Sequence, residues 1–139
     1  MKKLEHIGIA VRNIHDANRL FARLLGTECY KVEEVPAEGV RTSFFDVGGV
    51  KIELLEPTDE NSPIAKFISK RGEGIHHLAF EVSDIHESLR SYQESGFEVI
   101  NPTPKKGADN KLIFFLHPRS ANGVLIELCQ DDQNALGAG

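Results

Sequence analysis

The sequence predicts an α+β protein built from two tandem βαβββ modules, and three observations point there. The stretch opening His6-Ile-Gly-Ile-Ala-Val-Arg-Asn-Ile-His and the stretch opening His77-Leu-Ala-Phe-Glu-Val-Ser-Asp-Ile-His follow one pattern. Each copy later closes on Gly-Val-x-Ile-Glu-Leu, from Gly49 to Leu54 and from Gly123 to Leu128. Within each copy the apolar period changes from two to about 3.6 and back to two, the signature of strand, helix and strand again. The copies span about 4–57 and 74–130 of the 139 residues. A chain half that length buries too small a share of its surface to be secure alone, so one domain over 1–139 is expected.

In the first copy Leu4 to Val11 alternates as a strand, with Ile7, Ile9 and Val11 on one face and His6, Gly8 and Ala10 on the other. A helix follows, in which Ile14, Ala17, Leu20, Phe21, Leu24 and Leu25 recur at helical spacing, Asn13 caps the start and Gly26 suits the stop. Strands are expected near Glu28 to Val35, Arg41 to Val47 and Val50 to Glu56, the last two joined tightly at Gly48-Gly49. Between the copies, Ser62-Pro63 starts a short helix whose apolar face is Ile64, Phe67 and Ile68. The second copy repeats the plan. A strand is expected over His77 to Val82 and a helix over Ile85 to Ser95, with Asp84 and Glu87 at capping-box spacing and Gly96 as terminator. Strands near Phe97 to Ile100, Leu112 to His117 and Val124 to Gln130 complete it, and the tail from Asp131 is expected to fray.

Net charge is -5 with acids and bases interspersed, which does not suit a nucleic-acid binder. An anionic ligand would need local bases, and Lys105, Lys106, Lys111 and Arg119 are the candidates late in the second copy. Two cysteines are too few for a disulfide framework and fit a reducing compartment. Without a leader or an apolar run near the roughly 18 residues of a membrane span, a cytoplasmic protein free of membrane is expected.

Alternation also assigns the polar repeats. Val50, Ile52 and Leu54, like Val124, Ile126 and Leu128, should face the helices, which turns Glu53 and Glu127 the other way. Ile7, Ile9 and Val11, with Leu78, Phe80 and Val82, do the same for the opening strands and leave His6 and His77 beside the two glutamates. Gly8, Ala10 and Ala79 leave room there for a ligand. One His or Glu on a strand face is usually solvated or hydrogen-bonded structure. Two matched pairs on one predicted face are the ligand set of a divalent ion, and imidazole with carboxylate suits Zn, Co, Ni, Mn or Fe. His15, His76, His86 and His117 lie off that face or at helix starts and turns, and read as structural.

On these residues the chain resembles the vicinal oxygen chelate (glyoxalase/bleomycin resistance/dioxygenase) superfamily, from Leu4 to Gln130. The closest wording is that of the methylmalonyl-CoA epimerase family: Glu53-Leu-Leu-Glu-Pro before Ser62-Pro-Ile-Ala-Lys-Phe, Gly74-Ile-His-His-Leu-Ala-Phe-Glu-Val, Phe115-Leu-His-Pro-Arg-Ser and Gly123-Val-Leu-Ile-Glu-Leu. The resemblance implies curved sheets around a metal-binding cleft, with His6, Glu53, His77 and Glu127 as ligands. It further implies an isomerase that epimerises methylmalonyl-CoA through a metal-stabilised enolate, Glu127 serving as a proton-transfer group, and a homodimer. Some family members carry Gln where Glu53 stands. Others place a second Glu after the Gly-Val of the first copy, but Gly39-Val40 leads here into Arg41 and Thr42, leaving Glu38 as a weak substitute. Lys111, Arg119 and Ser120 are candidate contacts for the acyl-CoA.

Three rivals share the fold. Glyoxalase I uses the same ligand types, but Ile9 stands where many glyoxalases carry an Arg, and the segment after Leu55 differs. A non-enzymatic small-molecule binding protein often lacks the complete metal set. Extradiol dioxygenases hold iron with two His and one carboxylate, against which Glu53 speaks.

Overall fold

A computed structural model describes residues 1–133. Its elements in chain order are β1 (Lys3–Ala10), α1 (Ile14–Leu25), β2 (Lys31–Val35), β3 (Val40–Val47), β4 (Val50–Pro57), α2 (Pro63–Arg71), β5 (Gly74–Glu81), α3 (Ile85–Glu94), β6 (Lys105–Lys106), β7 (Lys111–Leu116) and β8 (Ile126–Asp131). This is the βαβββ plan twice, with α2 between the copies. The described chain divides into two compact units, residues 6–76 and residues 1–5 with those from 77 onward.

In the first unit the strands run β2-β3-β4-β1. β1 and β4 are parallel neighbours and place Gly8 beside Glu53; β3 is antiparallel to β4 and places Phe44 on the other side of Glu53. The second unit repeats this as β5-β8-β7-β6, with Ala79 beside Glu127 in the parallel pair and Phe115 opposite it in the antiparallel one. Paired residues share a face, so each glutamate lies between a residue with little or no side chain and a phenyl ring.

The helices are fixed at their starts by the expected caps. The Asn13 side chain accepts from the Asp16 N–H and the Asp84 side chain from the Glu87 N–H. Each cap is backed by a second, long-range one. Glu56, three residues after Glu53, accepts from the Ile14 N–H at 2.8 Å, and Gln130, three residues after Glu127, accepts from the Ile85 N–H at 3.0 Å. In both units the strand that carries the glutamate also satisfies the first helical amide, one of the donors a helix leaves open. The Gly48-Gly49 turn has positive φ at both residues, 61° and 93°, as a tight hairpin with right-handed strand twist requires.

Each unit has its own core. Val11, Phe45 and Leu54, with Ile9 and Ile52, pack on Ala17, Phe21, Ala22 and Leu25 of α1. Val82, Phe114, Leu116 and Leu128 pack on Ile85, Leu89 and Tyr92 of α3. These are the faces the alternation assigned. The opposite face of the first unit is not bare, however: Ala10, Val40 and Leu55 are covered by Ile64, Phe67 and Ile68 of α2.

Four further expectations are corrected. Phe97 to Ile100 forms only one bridge, Val99 to Leu116. The Ile100 N–H reaches the Phe115 carbonyl, but the returning Phe115 N–H goes to the Asn101 side chain, and Pro102 follows, so the ladder cannot grow. The outer strand is instead the short β6. Val124 lies in a turn before β8, its N–H bonded to the Ala121 carbonyl, and is 39% exposed rather than packed on α3. β2 starts at Lys31, not Glu28. Asp131 belongs to β8, and buried Asp132 donates its N–H to the Asn110 carbonyl; the rest of the tail expected to fray, from residue 134, lies outside the described residues.

Candidate metal centre

Each unit brings one histidine and one glutamate into contact. In the first, Nδ1 of His6 lies 3.0 Å from Oε2 of Glu53; in the second, Nε2 of His77 lies 3.3 Å from Oε1 of Glu127. All four residues are 4–5% exposed. His6 stands two residues before Gly8, which pairs with Glu53, and His77 two before Ala79, which pairs with Glu127. The small residue lets the imidazole lean along its strand to the carboxylate.

Buried polar groups of this kind need compensation, and a carboxylate shut away from water is costly unless paired. The donor set fits a divalent ion. Ligand atoms about 2.0–2.2 Å from one ion are separated by roughly 3.0–3.5 Å in octahedral or tetrahedral geometry, which brackets both His–Glu distances. Nitrogen and oxygen donors also match the chemistry of first-row divalent metals.

Aromatic residues form the walls. The His77 ring meets Phe115 edge-on at 5.9 Å, and Phe44, opposite Glu53, is fully buried with Tyr30 stacked on it at 6.0 Å. Beyond Glu127 on the same strand, Cys129 is fully buried against the Phe80 carbonyl. Burial pushes its thiol pKa well up, and the neighbouring Glu127 and Glu5 carboxylates push it the same way.

The candidate anion holders separate. Arg119 makes two hydrogen bonds to Glu98, 2.9 and 3.1 Å, and this pairing lowers the Glu98 carboxyl pKa. Lys111 is buried and lies 2.5 Å from Asp131. The Ser120 hydroxyl bonds the His117 carbonyl. Lys105 and Lys106 form β6. Arg41 is drawn to Glu34 and Glu56; its hydrogen bond to Glu34, and then the charges of both carboxylates, raise its pKa. Thr42 follows Arg41 on β3, fully buried on the face of Glu53, its hydroxyl without a hydrogen-bond partner. Glu38 sits in the short 3-10 turn Pro36–Glu38, before the strand rather than on it. Of the other histidines, His76 packs edge-on to Phe67 at 5.0 Å, His117 accepts from the Arg119 N–H, and His15 and His86 are exposed.

The family comparisons agree with this geometry. Residues 5–115 match the model of the Glyoxalase/Bleomycin resistance protein/Dioxygenase superfamily. The chain is 40% identical to the ethylmalonyl-CoA/methylmalonyl-CoA epimerase of Cereibacter sphaeroides over 92% of this chain and 97% of that protein. The crystal structure of methylmalonyl-CoA epimerase from Mycobacterium tuberculosis superposes with a TM-score of 0.92 at 37% identity, covering 99% of this chain and 92% of that one. A methylmalonyl-CoA epimerase in complex with methylmalonyl-CoA and NH4+ gives 0.90 at 32% identity, covering 94% and 95%. The repeated modules, the twin His–Glu pairs and these likenesses together mean that the chain belongs to the Glyoxalase/Bleomycin resistance protein/Dioxygenase superfamily, where relatives 33–40% identical to it are named methylmalonyl-CoA epimerases.

Proposed function

We propose that the protein epimerises methylmalonyl-CoA by removing and returning the proton on the carbon between thioester and carboxylate. The observation that carries this is the twin arrangement of buried His–Glu pairs, each glutamate between a small residue and a phenyl ring, in a chain whose relatives act on that substrate. His6, Glu53, His77 and Glu127 together hold one divalent ion: Co, Zn, Ni, Mn and Fe all suit the donors. When bound, the ion supplies Lewis-acid stabilisation of the enolate charge. Glu127 exchanges the proton at the α-carbon, with Phe115 and Ala79 limiting water beside its carboxylate.

The modules act as one domain spanning 1–139, and two copies form a homodimer. Supporting this pairing, β2 ends the strand order of its unit with Val32 half exposed and Tyr30 exposed beside it. Cytoplasmic residence fits the two free cysteines; among the described residues no helix is long and apolar enough to cross a membrane.

The test is exchange in deuterium oxide. Metal-reconstituted protein should wash solvent deuterium into the α-position of methylmalonyl-CoA, and a glutathione hemithioacetal control should not turn over. Glu127→Gln should lower the exchange rate by about 100-fold or more, the usual range for loss of a general acid–base group. Turnover of the hemithioacetal alone, or unchanged exchange in the variant, would overturn the reading.

A further inference from the structure

We infer that the Thr42 hydroxyl donates a hydrogen bond to an oxygen of the bound acyl group, beside the His6–Glu53 half of the site; this rests on the epimerase reading above. Among the described residues, three buried side-chain polar atoms have no hydrogen-bond partner: Oγ1 of Thr42, Oγ of Ser43 and Oδ1 of Asn18. A buried hydroxyl without a partner costs free energy that folding does not return, so it calls for a reason. Asn18 is on α1, and Ser43 pairs with Leu54, whose face packs on that helix. Of the three, Thr42 alone lies on the sheet face that carries Glu53. It pairs with Leu55, two residues after Glu53, and stands two before Phe44, the ring opposite Glu53. Diagonal neighbours of this kind are roughly 7–8 Å apart along the backbone, so a group held at the glutamate is within reach of the hydroxyl.

The duplication supplies an internal control. In the second unit the residue two before Phe115, the ring opposite Glu127, is Ile113, which is also buried. Both copies thus fill this place with a β-branched side chain, and the strand packs there without a hydroxyl. The hydroxyl belongs to the first copy alone, and packing does not explain it. Thr42 is fully buried and Glu53 nearly so, which means that a group bound between them leaves water behind. In such a setting a neutral donor aimed at a charged oxygen counts for more than it would in solvent, and it brings no charge of its own to be buried. A malonyl-type thioester presents two oxygens of this kind, one on its carboxylate and one on the thioester, which gains charge as the α-proton leaves. Thr42 binds and steadies that charge, while the proton itself moves through Glu127.

The experiment compares Thr42→Val, which keeps the shape and removes the hydroxyl, with Thr42→Ser, which keeps the hydroxyl, and with Ser43→Ala as the control on the opposite face. Urea unfolding is followed on the metal-free protein, and α-proton exchange of methylmalonyl-CoA on the metal-reconstituted protein. Thr42→Val should unfold at the wild-type urea concentration or above it, because an unpaired polar atom has left the core. It should nevertheless lower kcat/KM about 10- to 100-fold, the range for losing a hydrogen bond to a charged group. Thr42→Ser should recover most of that loss, and Ser43→Ala should exchange like wild type. A Val variant that unfolds at lower urea, with exchange falling in step, would tie the hydroxyl to the fold through a buried water and overturn the inference. Wild-type exchange in the Val variant, or a Ser variant as slow as Val, would overturn it too. If the wild-type protein fails to exchange the α-proton, the epimerase reading falls and this inference with it; if it exchanges and the Val variant matches it, only this inference falls.

Discussion

Cys129 and Glu127 show how far the setting of a residue outruns its identity. They lie two apart on β8 and share a face, yet one is a buried neutral thiol against the Phe80 carbonyl and the other a proposed ligand. The Cys129 thiol is kept neutral first by burial and then by the Glu127 and Glu5 carboxylates. In the unfolded chain a cysteine ionises near pH 8.5. Its contribution to stability is therefore complete below that pH and lost as pH rises above it, at most about 1.4 kcal/mol per pH unit. Above pH 9, then, wild type should lose stability more steeply than Cys129→Ala in denaturant titrations. At neutral pH a thiol reagent should modify Cys29, which is partly exposed, long before Cys129. Equal rates for both thiols would contradict the burial argument. Alternation alone put both His and both Glu on the face away from the helices, because strand geometry fixes faces; nothing local revealed that Lys111 is held by Asp131, since that contact crosses a ladder whose register the sequence does not state.

At the scale of elements, Gly39 ties β3 to the start of α2. It has φ +65°, which L side chains adopt at a cost, and a Cβ there would lie 2.7 Å from the Ser62 Cβ. Ser62 is the buried N-cap of α2, its hydroxyl accepting from the Ala65 N–H. Gly39→Ala therefore strains the turn by about 1–2 kcal/mol and also displaces the cap, itself worth about 1 kcal/mol. Stability by urea titration should fall by roughly 2 kcal/mol or more, well beyond Gly26→Ala, where positive φ is the sole cost because nothing lies within 4 Å. Similar losses at both sites would remove the packing part of this account. The caps of α1 and α3 by Asn13 and Asp84 were legible as local motifs. Those by Glu56 and Gln130 were not, since each bond spans more than 40 residues. The missing strand at Phe97 to Ile100 has the same origin: its pattern is β-like, but Asn101 and Pro102 end the pairing only once β7 is beside it.

For the whole molecule, the proposal that both modules and one ion form a single cooperative domain has a direct consequence. Calorimetry of the metal-loaded protein should give one transition whose calorimetric and van't Hoff enthalpies agree. Adding a chelator should lower Tm, because an ion bound only by the folded state stabilises it by mass action, about 2.7 kcal/mol at a free concentration 100 times Kd. Removing His6 by substitution with Ala should abolish that metal-dependent shift. Two separate transitions, or a Tm indifferent to metal and chelator, would oppose the proposal.

The module plan, the faces of the core strands and the His–Glu repeats were all readable before folding, because they depend on periods of two and 3.6 that the chain carries locally. Only the folded chain fixed the approach of each His to its Glu, the cover of α2 over Ala10 and Leu55, and the pairing of Lys111 with Asp131 and of Arg119 with Glu98. Those facts depend on strand register and on which neighbour fills a given space, and both are set by contacts between residues far apart in the chain.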